Sequence, residues 1–105
     1  MKLLIAGRYT DQGTKGLIKE GGSARKAAVQ KAINGLGGKL ESIYYAYGDA
    51  DVYAVVDMPD TTSALALSLV VNASGTVHLK TIPLMTVEEV DAACKKSVDY
   101  RPAGK

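Results

Sequence analysis

Tryptophan and phenylalanine are absent from this chain, and cysteine and histidine occur once each. A single cysteine, Cys94, excludes an internal disulfide and suits a reducing cytoplasm. One histidine, His78, cannot by itself build a zinc centre, so neither a metal nor a cofactor is expected. Charge of one sign is also lacking: 13 Lys and Arg against 11 Asp and Glu leave a net charge of +2. The basic residues are scattered, which gives no electrostatic footprint for nucleic acid. Long apolar runs are missing too. Leu3–Ala6 stops at Gly7-Arg8, too short for the apolar part of a secretion signal, and reads as a first strand. Ala64–Ala73 is far shorter than a membrane span, so no membrane partner is expected.

What is present is an ordinary globular composition, 47% hydrophobic and 23% charged over 105 residues. That length carries one core and therefore one domain, residues 1–99, with 100–105 as a tail. The aromatic surface consists of six tyrosines, five of them before residue 54. The chain is organised around two β-rich runs, Ser42–Tyr47 and Asp51–Met58, flanking Gly48-Asp49-Ala50. Glycine admits positive φ and aspartate bonds its own backbone, so these three residues predict a tight hairpin. Pro59 ends the second strand, and Asp60 is placed to cap a helix after it.

Lys2–Thr10, apolar in both phases, predicts a strand buried on both sides. Asp11–Gly22 holds four glycines and predicts a loop. A helix comes next, from a Ser23 cap to the Gly35/Gly37/Gly38 cluster, with Ala24, Ala28 and Ala32 beside Val29, Ile33 and Leu36 as its inner stripe. Asp60–Ser74 predicts a second helix, apolar nearly all round, that packs against more than its own sheet. Thr76–Ile82 predicts a fourth strand closed by Pro83. Thr86-Val87-Glu88-Glu89 is a capping box opening a third helix, with Val87, Val90, Cys94 and Val98 turned inward. The order β-α-β-β-α-β plus a helix predicts an α+β, ferredoxin-like fold: a four-stranded antiparallel sheet with helices on one face and an extra C-terminal helix.

Such a sheet keeps its other face open. If Val52, Ala54, Val56 and Met58 point at the helices, Tyr53 and Val55 point away, and the same parity sends Ile43, Tyr45, Tyr47, His78 and Lys80 to the open side. Of these, Ile43, Tyr45, Tyr53 and Val55, with Ile82, form an apolar and aromatic patch of the size that monomers seldom leave in water. Self-association is expected, unless the C-terminal helix folds over the patch.

Short segments along nearly the whole chain resemble the GYD domain family, relatives of the dimeric α/β-barrel group. They are Tyr9-Thr10-Asp11-Gln12-Gly13, Arg25, Gly37-Gly38-Lys39-Leu40, Gly48 with Asp51, Pro59-Asp60, Gly75-Thr76-Val77, Thr81, and Leu84-Met85-Thr86 with Glu88-Glu89. Where the family name implies tyrosine between glycine and aspartate, this chain has Asp49-Ala50 before Asp51. The resemblance implies a ferredoxin-like fold and an oligomer.

Candidate chemistry is sparse. Gly16–Ser23 comes near a phosphate-cradling G-x-x-x-x-G-K-[ST] loop, but Gly22 stands where the lysine is needed. Ser23 at a helix start, with Arg25 and Lys26, can hold a carboxylate or phosphate, or can simply be a wet face. Tyr45, Tyr47 and Tyr53 either line a pocket for an apolar small molecule or anchor an interface. His78 can act as an acid or base only if Tyr45, Tyr53 or Lys80 shares its face. Asp51 and Asp57 lie too far apart along a strand to act as one couple. Cys94 reads as a small buried hydrophobe.

The leading expectation is a non-catalytic cytoplasmic homo-oligomer, a dimer or larger. It would bind a small metabolite between subunits or under the Gly13–Gly22 segment, with Arg8, Tyr45, Tyr47, Tyr53, His78, Lys80, Ser23 and Arg25 as ligand-binding residues. The alternatives are a cofactor-free isomerase or monooxygenase of the barrel kind using His78, Tyr53 and Arg8, or a purely structural assembly subunit.

Overall fold

The computed structural model describes all 105 residues, Met1–Lys105. Its elements are β1 (Lys2–Tyr9), α1 (Asp11–Glu20), α2 (Gly22–Gly35), β2 (Lys39–Tyr45), β3 (Val52–Asp57), α3 (Thr61–Ala73), β4 (Val77–Leu84) and α4 (Val87–Cys94). The strands form one antiparallel sheet in the order β2-β3-β1-β4. The two central strands thus come from different halves of the chain, the ferredoxin-like arrangement.

The core lies between the sheet and the two long helices. Leu3 and Ile5 of β1, Leu40 of β2, Ala54, Val56 and Met58 on and after β3, Ile33 of α2, and Ala64 and Leu67 of α3 are all buried. The parity expected for β3 holds: Val56 and Met58 are inside, while Tyr53 and Asp57 are exposed.

The glycine-rich Asp11–Glu20 segment is a helix rather than the expected loop. Thr10 caps it, its side chain accepting from the Gly13 backbone N–H at 3.1 Å, and Asp11 complements the positive end. The Thr10 amide and hydroxyl also donate to the carbonyls of Thr76 (3.0 Å) and Gly75 (2.8 Å), pinning the helix start to the entry of β4. Gly13 is buried there, and only glycine fits, because a Cβ would collide with the Thr76 carbonyl. A glycine inside a helix costs about 1 kcal/mol of propensity, which this close approach requires. The helix stops at Gly21, whose φ of +84° is the left-handed conformation glycine favours. Gly21 is also the N-cap of α2, which has no side-chain cap, so Ser23 is an exposed first-turn residue and not the cap.

Strand β2 carries a bulge between Leu40 and Ser42, so Glu41 has no cross-strand partner. One extra residue inverts the phase of everything after it. Ser42 and Tyr44 stand opposite Val55 and Tyr53 on the open face, while Ile43 pairs with Ala54 and packs on the core. The expected placement of Ile43 and Tyr45 on the open face is thereby reversed. Tyr47 lies beyond the end of β2 in the hairpin turn, wholly exposed.

Strand β4 runs two residues past its expected end, through Pro83, which is opposite Leu3. It is the sheet's edge, where a missing N–H leaves no ladder bond unmade. The capping box forms as expected, Glu89 N–H to Thr86 Oγ1 at 3.0 Å and Thr86 N–H to Glu89 Oε1 at 3.1 Å. The inward face of α4 does not: residues 85–105 are all exposed, including Val87, Val90, Cys94 and Val98. The segment projects from the domain, giving extents of 56 × 33 × 22 Å. The radius of gyration is 17.0 Å, against about 13 Å for a compact chain of this size.

Candidate functional site: an apolar cavity behind the sheet

On the helix side, α2 and α3 leave a gap above the middle of the sheet. The result is a cavity of about 150 Å³ with fifteen lining residues, fourteen of them hydrophobic. Its floor includes Ile5, Ile43, Val52, Ala54, Val77 and Leu79, and its sides are Ala28, Val29, Ala32 and Ile33 of α2 with Leu67 and Val71 of α3. The alanines explain the opening, since Ala28 and Ala32 fail to close the space that longer side chains would fill and are themselves exposed. Beside the floor, Gly7 has no room for a side chain: a Cβ there would sit 2.8 Å from Val52 Cγ1 and 3.2 Å from the Leu79 and Val77 side chains.

The polar end of the cavity is formed by Tyr9, Tyr45 and Arg25. Tyr45 reaches it because the bulge turned it inward; its hydroxyl donates to the Gly22 carbonyl at 3.1 Å. Tyr9 closes β1 in the same inward phase as Leu3 and Ile5. Its backbone N–H donates to Asp51 Oδ2 at 2.9 Å. Burial pushes the Tyr9 phenol above its ordinary pKa, with the neighbouring Tyr45 adding to the rise and Arg25 opposing it. Arg25 is the one charged residue of the lining. Its Nη1 lies 3.5 Å from Glu20 Oε2, a long, half-exposed pair across the α1–α2 break. Two shallower hollows meet this end under α1: one joins Tyr9 and Tyr45 with Leu17 and Gly22, the other joins Tyr9 and Arg25 with Gly13 and Glu20.

The open face of the sheet holds the rest. By register, Leu4 is flanked by Val55 and Ile82, Ala6 by Tyr53 and Lys80, and Arg8 by His78; Tyr44 stands beside Tyr53. Tyr44 and Ile82 are exposed, with Tyr53 at 37%. Arg8 donates from Nη1 to the Asp49 carbonyl at 2.9 Å and so braces the hairpin turn. At one end Lys2 pairs with Glu41 at 2.9 Å, and the terminal ammonium pairs with Asp57 at 3.0 Å. The bond to Glu41 raises the Lys2 pKa, and the bond from the ammonium lowers that of Asp57. No carboxylate contacts His78, and no three His, Cys, Asp or Glu side chains converge as a metal site requires.

The sequence-selected residues therefore separate into four places. Tyr45 and Arg25 meet at the cavity; Tyr53, His78, Lys80 and Arg8 share the open face; Tyr47 sits on the turn and Ser23 on the outer surface of α2. Tyr9 escaped the reading of the residues as a site, although counting by twos from Leu3 along β1 reaches it. A family model for the GYD domain matches residues 4–94. The chain belongs to the GYD family. The match spans every element from β1 to α4, so the cavity and the open face both lie within the GYD domain. No curated protein and no solved structure matches the chain. None of its helices is long and apolar enough to cross a membrane.

Proposed function

We propose that this GYD protein is a cytoplasmic, non-catalytic small-molecule-binding module that works as a homo-oligomer. The cavity of about 150 Å³ between the sheet and α2/α3 carries the reading. Concave, mostly apolar walls with a few polar groups at one end are the usual form of a small-molecule site. The oligomer rests on the other side of the sheet. Leu4, Tyr44, Tyr53, Val55 and Ile82 share that side, and α4, which the residues alone offered as a possible roof, points away. Covering a few hundred Å² at about 25 cal/mol per Å² gives several kcal/mol before association costs. In this reading the ligand sits inside each copy and the copies meet across the sheet, rather than holding the ligand between them. Binding is favoured over acid–base catalysis because His78 lies across the sheet from the cavity.

Sedimentation across a wide concentration range should give a dimer or larger; a compact monomer throughout would sink the oligomer. A thermal-shift screen with small apolar compounds should raise Tm, since a ligand at a hundred times its Kd adds about 2.7 kcal/mol. A flat response to every compound would remove the binding reading.

A further inference from the structure

We infer that the cavity takes a small monocarboxylate with an unsubstituted apolar body, its carboxylate held by Arg25 beside the Tyr9 hydroxyl. The inference rests on the small-molecule reading above and narrows it to one chemical class. Size comes first. An apolar cavity of about 150 Å³ accommodates a benzene-sized body, and this one has that volume. Polarity comes second. The interior offers no partner for a hydroxyl or amide on the guest, so a polar group buried there would be left unsatisfied. Charge comes third. The lining holds one cation and no anion, and a guanidinium presents two parallel N–H donors that match a carboxylate. A doubly charged phosphate would meet one positive charge only, because Lys26 is outside the lining.

The state of Arg25 in the free protein fits this role. Its partner Glu20 stands at 3.5 Å on the solvent side, a length at which the pair is weak. A guest carboxylate arriving from the cavity side competes with Glu20 for the same fork. The Tyr9 phenol, whose pKa burial raises, is a donor at this end, while the Tyr45 hydroxyl is already spent on the Gly22 carbonyl at 3.1 Å.

The test is calorimetric titration of the full chain with phenylacetate and with its neutral analogue benzyl alcohol, on the native protein and two variants checked for folding by circular dichroism. Phenylacetate should bind the native chain more tightly than benzyl alcohol. Arg25→Gln should weaken phenylacetate by about tenfold or more, the worth of a charge-assisted pair, and leave benzyl alcohol unchanged. Glu20→Gln, which frees the guanidinium, should tighten phenylacetate. Equal binding of both compounds, insensitive to Arg25→Gln, would overturn the carboxylate inference while leaving an apolar cavity that binds. No binding of either compound to the native chain would overturn the inference and count against the cavity itself.

Discussion

The two sides of the sheet are written in alternate residues of the same four strands, yet they have opposite relations to water. Behind the sheet, Leu3, Ile5, Val56 and Met58 meet Ile33 and Leu67 in a closed core. The outer face of α3, expected to pack against more than its sheet, leaves Leu65, Leu69 and Val70 exposed. In front, Tyr44, Tyr53 and Ile82 have nothing above them. The covered side is nevertheless the one with a hole. The small residues Ala28 and Ala32 on α2 leave space between the helices and the sheet. In the proposed reading, stability and ligand capture are concentrated on one side, and association on the other. Changes made on one side should leave the other's property intact.

That separation is broken most strongly from the core. Ile33, fully buried between α2 and the sheet, should cost about 2–5 kcal/mol when cut to alanine, through lost burial and an enlarged cavity. Urea unfolding of Ile33→Ala should show the drop; a loss below about 0.5 kcal/mol, the range of a surface change, would mean the helix is not packed there. Tyr53→Glu, on the open side, should shift sedimentation to the monomer while leaving the monomer's unfolding midpoint nearly untouched. If the variant stays assembled, the copies meet elsewhere.

The smallest effect is at the ends of elements and depends on pH. The Asp60 carboxylate accepts from the Ser63 backbone N–H at 2.7 Å, which lowers its pKa below the ordinary 3.8; the terminal ammonium does the same for Asp57. A carboxylate whose folded pKa is depressed stabilises fully above its unfolded value and loses that contribution as pH falls through the folded one. Tm should therefore hold down to about pH 4 and decline below it. Asp60→Asn, which keeps a capping oxygen without the charge, should make that decline shallower. An unchanged acid limb would mean that Asp60 carries no pH-linked stability.

Most of the fold was legible in the chain because its signals are local. The Pro59-Asp60 stop and cap and the Thr86/Glu89 box each depend on residues within four positions of one another. The tight turn expected at Gly48–Ala50 is instead a longer loop over residues 46–51, in which Gly48 does not take a positive φ. The misreadings have specific causes. Four glycines in Asp11–Gly22 resemble a loop until Gly13 is seen against the Thr76 carbonyl, a partner 63 residues away. Parity failed along β2 because a bulge at Glu41 has no signature in residue type, and it moved Ile43 and Tyr45 together. The stripe expected on α4 fails twice: the helix ends at Cys94 and leaves Val98 beyond it, and Val87, Val90 and Cys94 face solvent, because spacing alone does not say what surface a stripe meets. For the site, Arg25 and Tyr45 were named, whereas the cavity joining them depends on how far apart α2 and α3 sit, which no spacing within either helix encodes.

The projecting C-terminal segment divides the molecule by task. Everything that walls the cavity lies before Leu84, the residue on which the sheet ends. Residues 85–105 hang from the edge strand like a handle. A protease nick at Met85, or a stop codon there, would release the handle and spare the vessel.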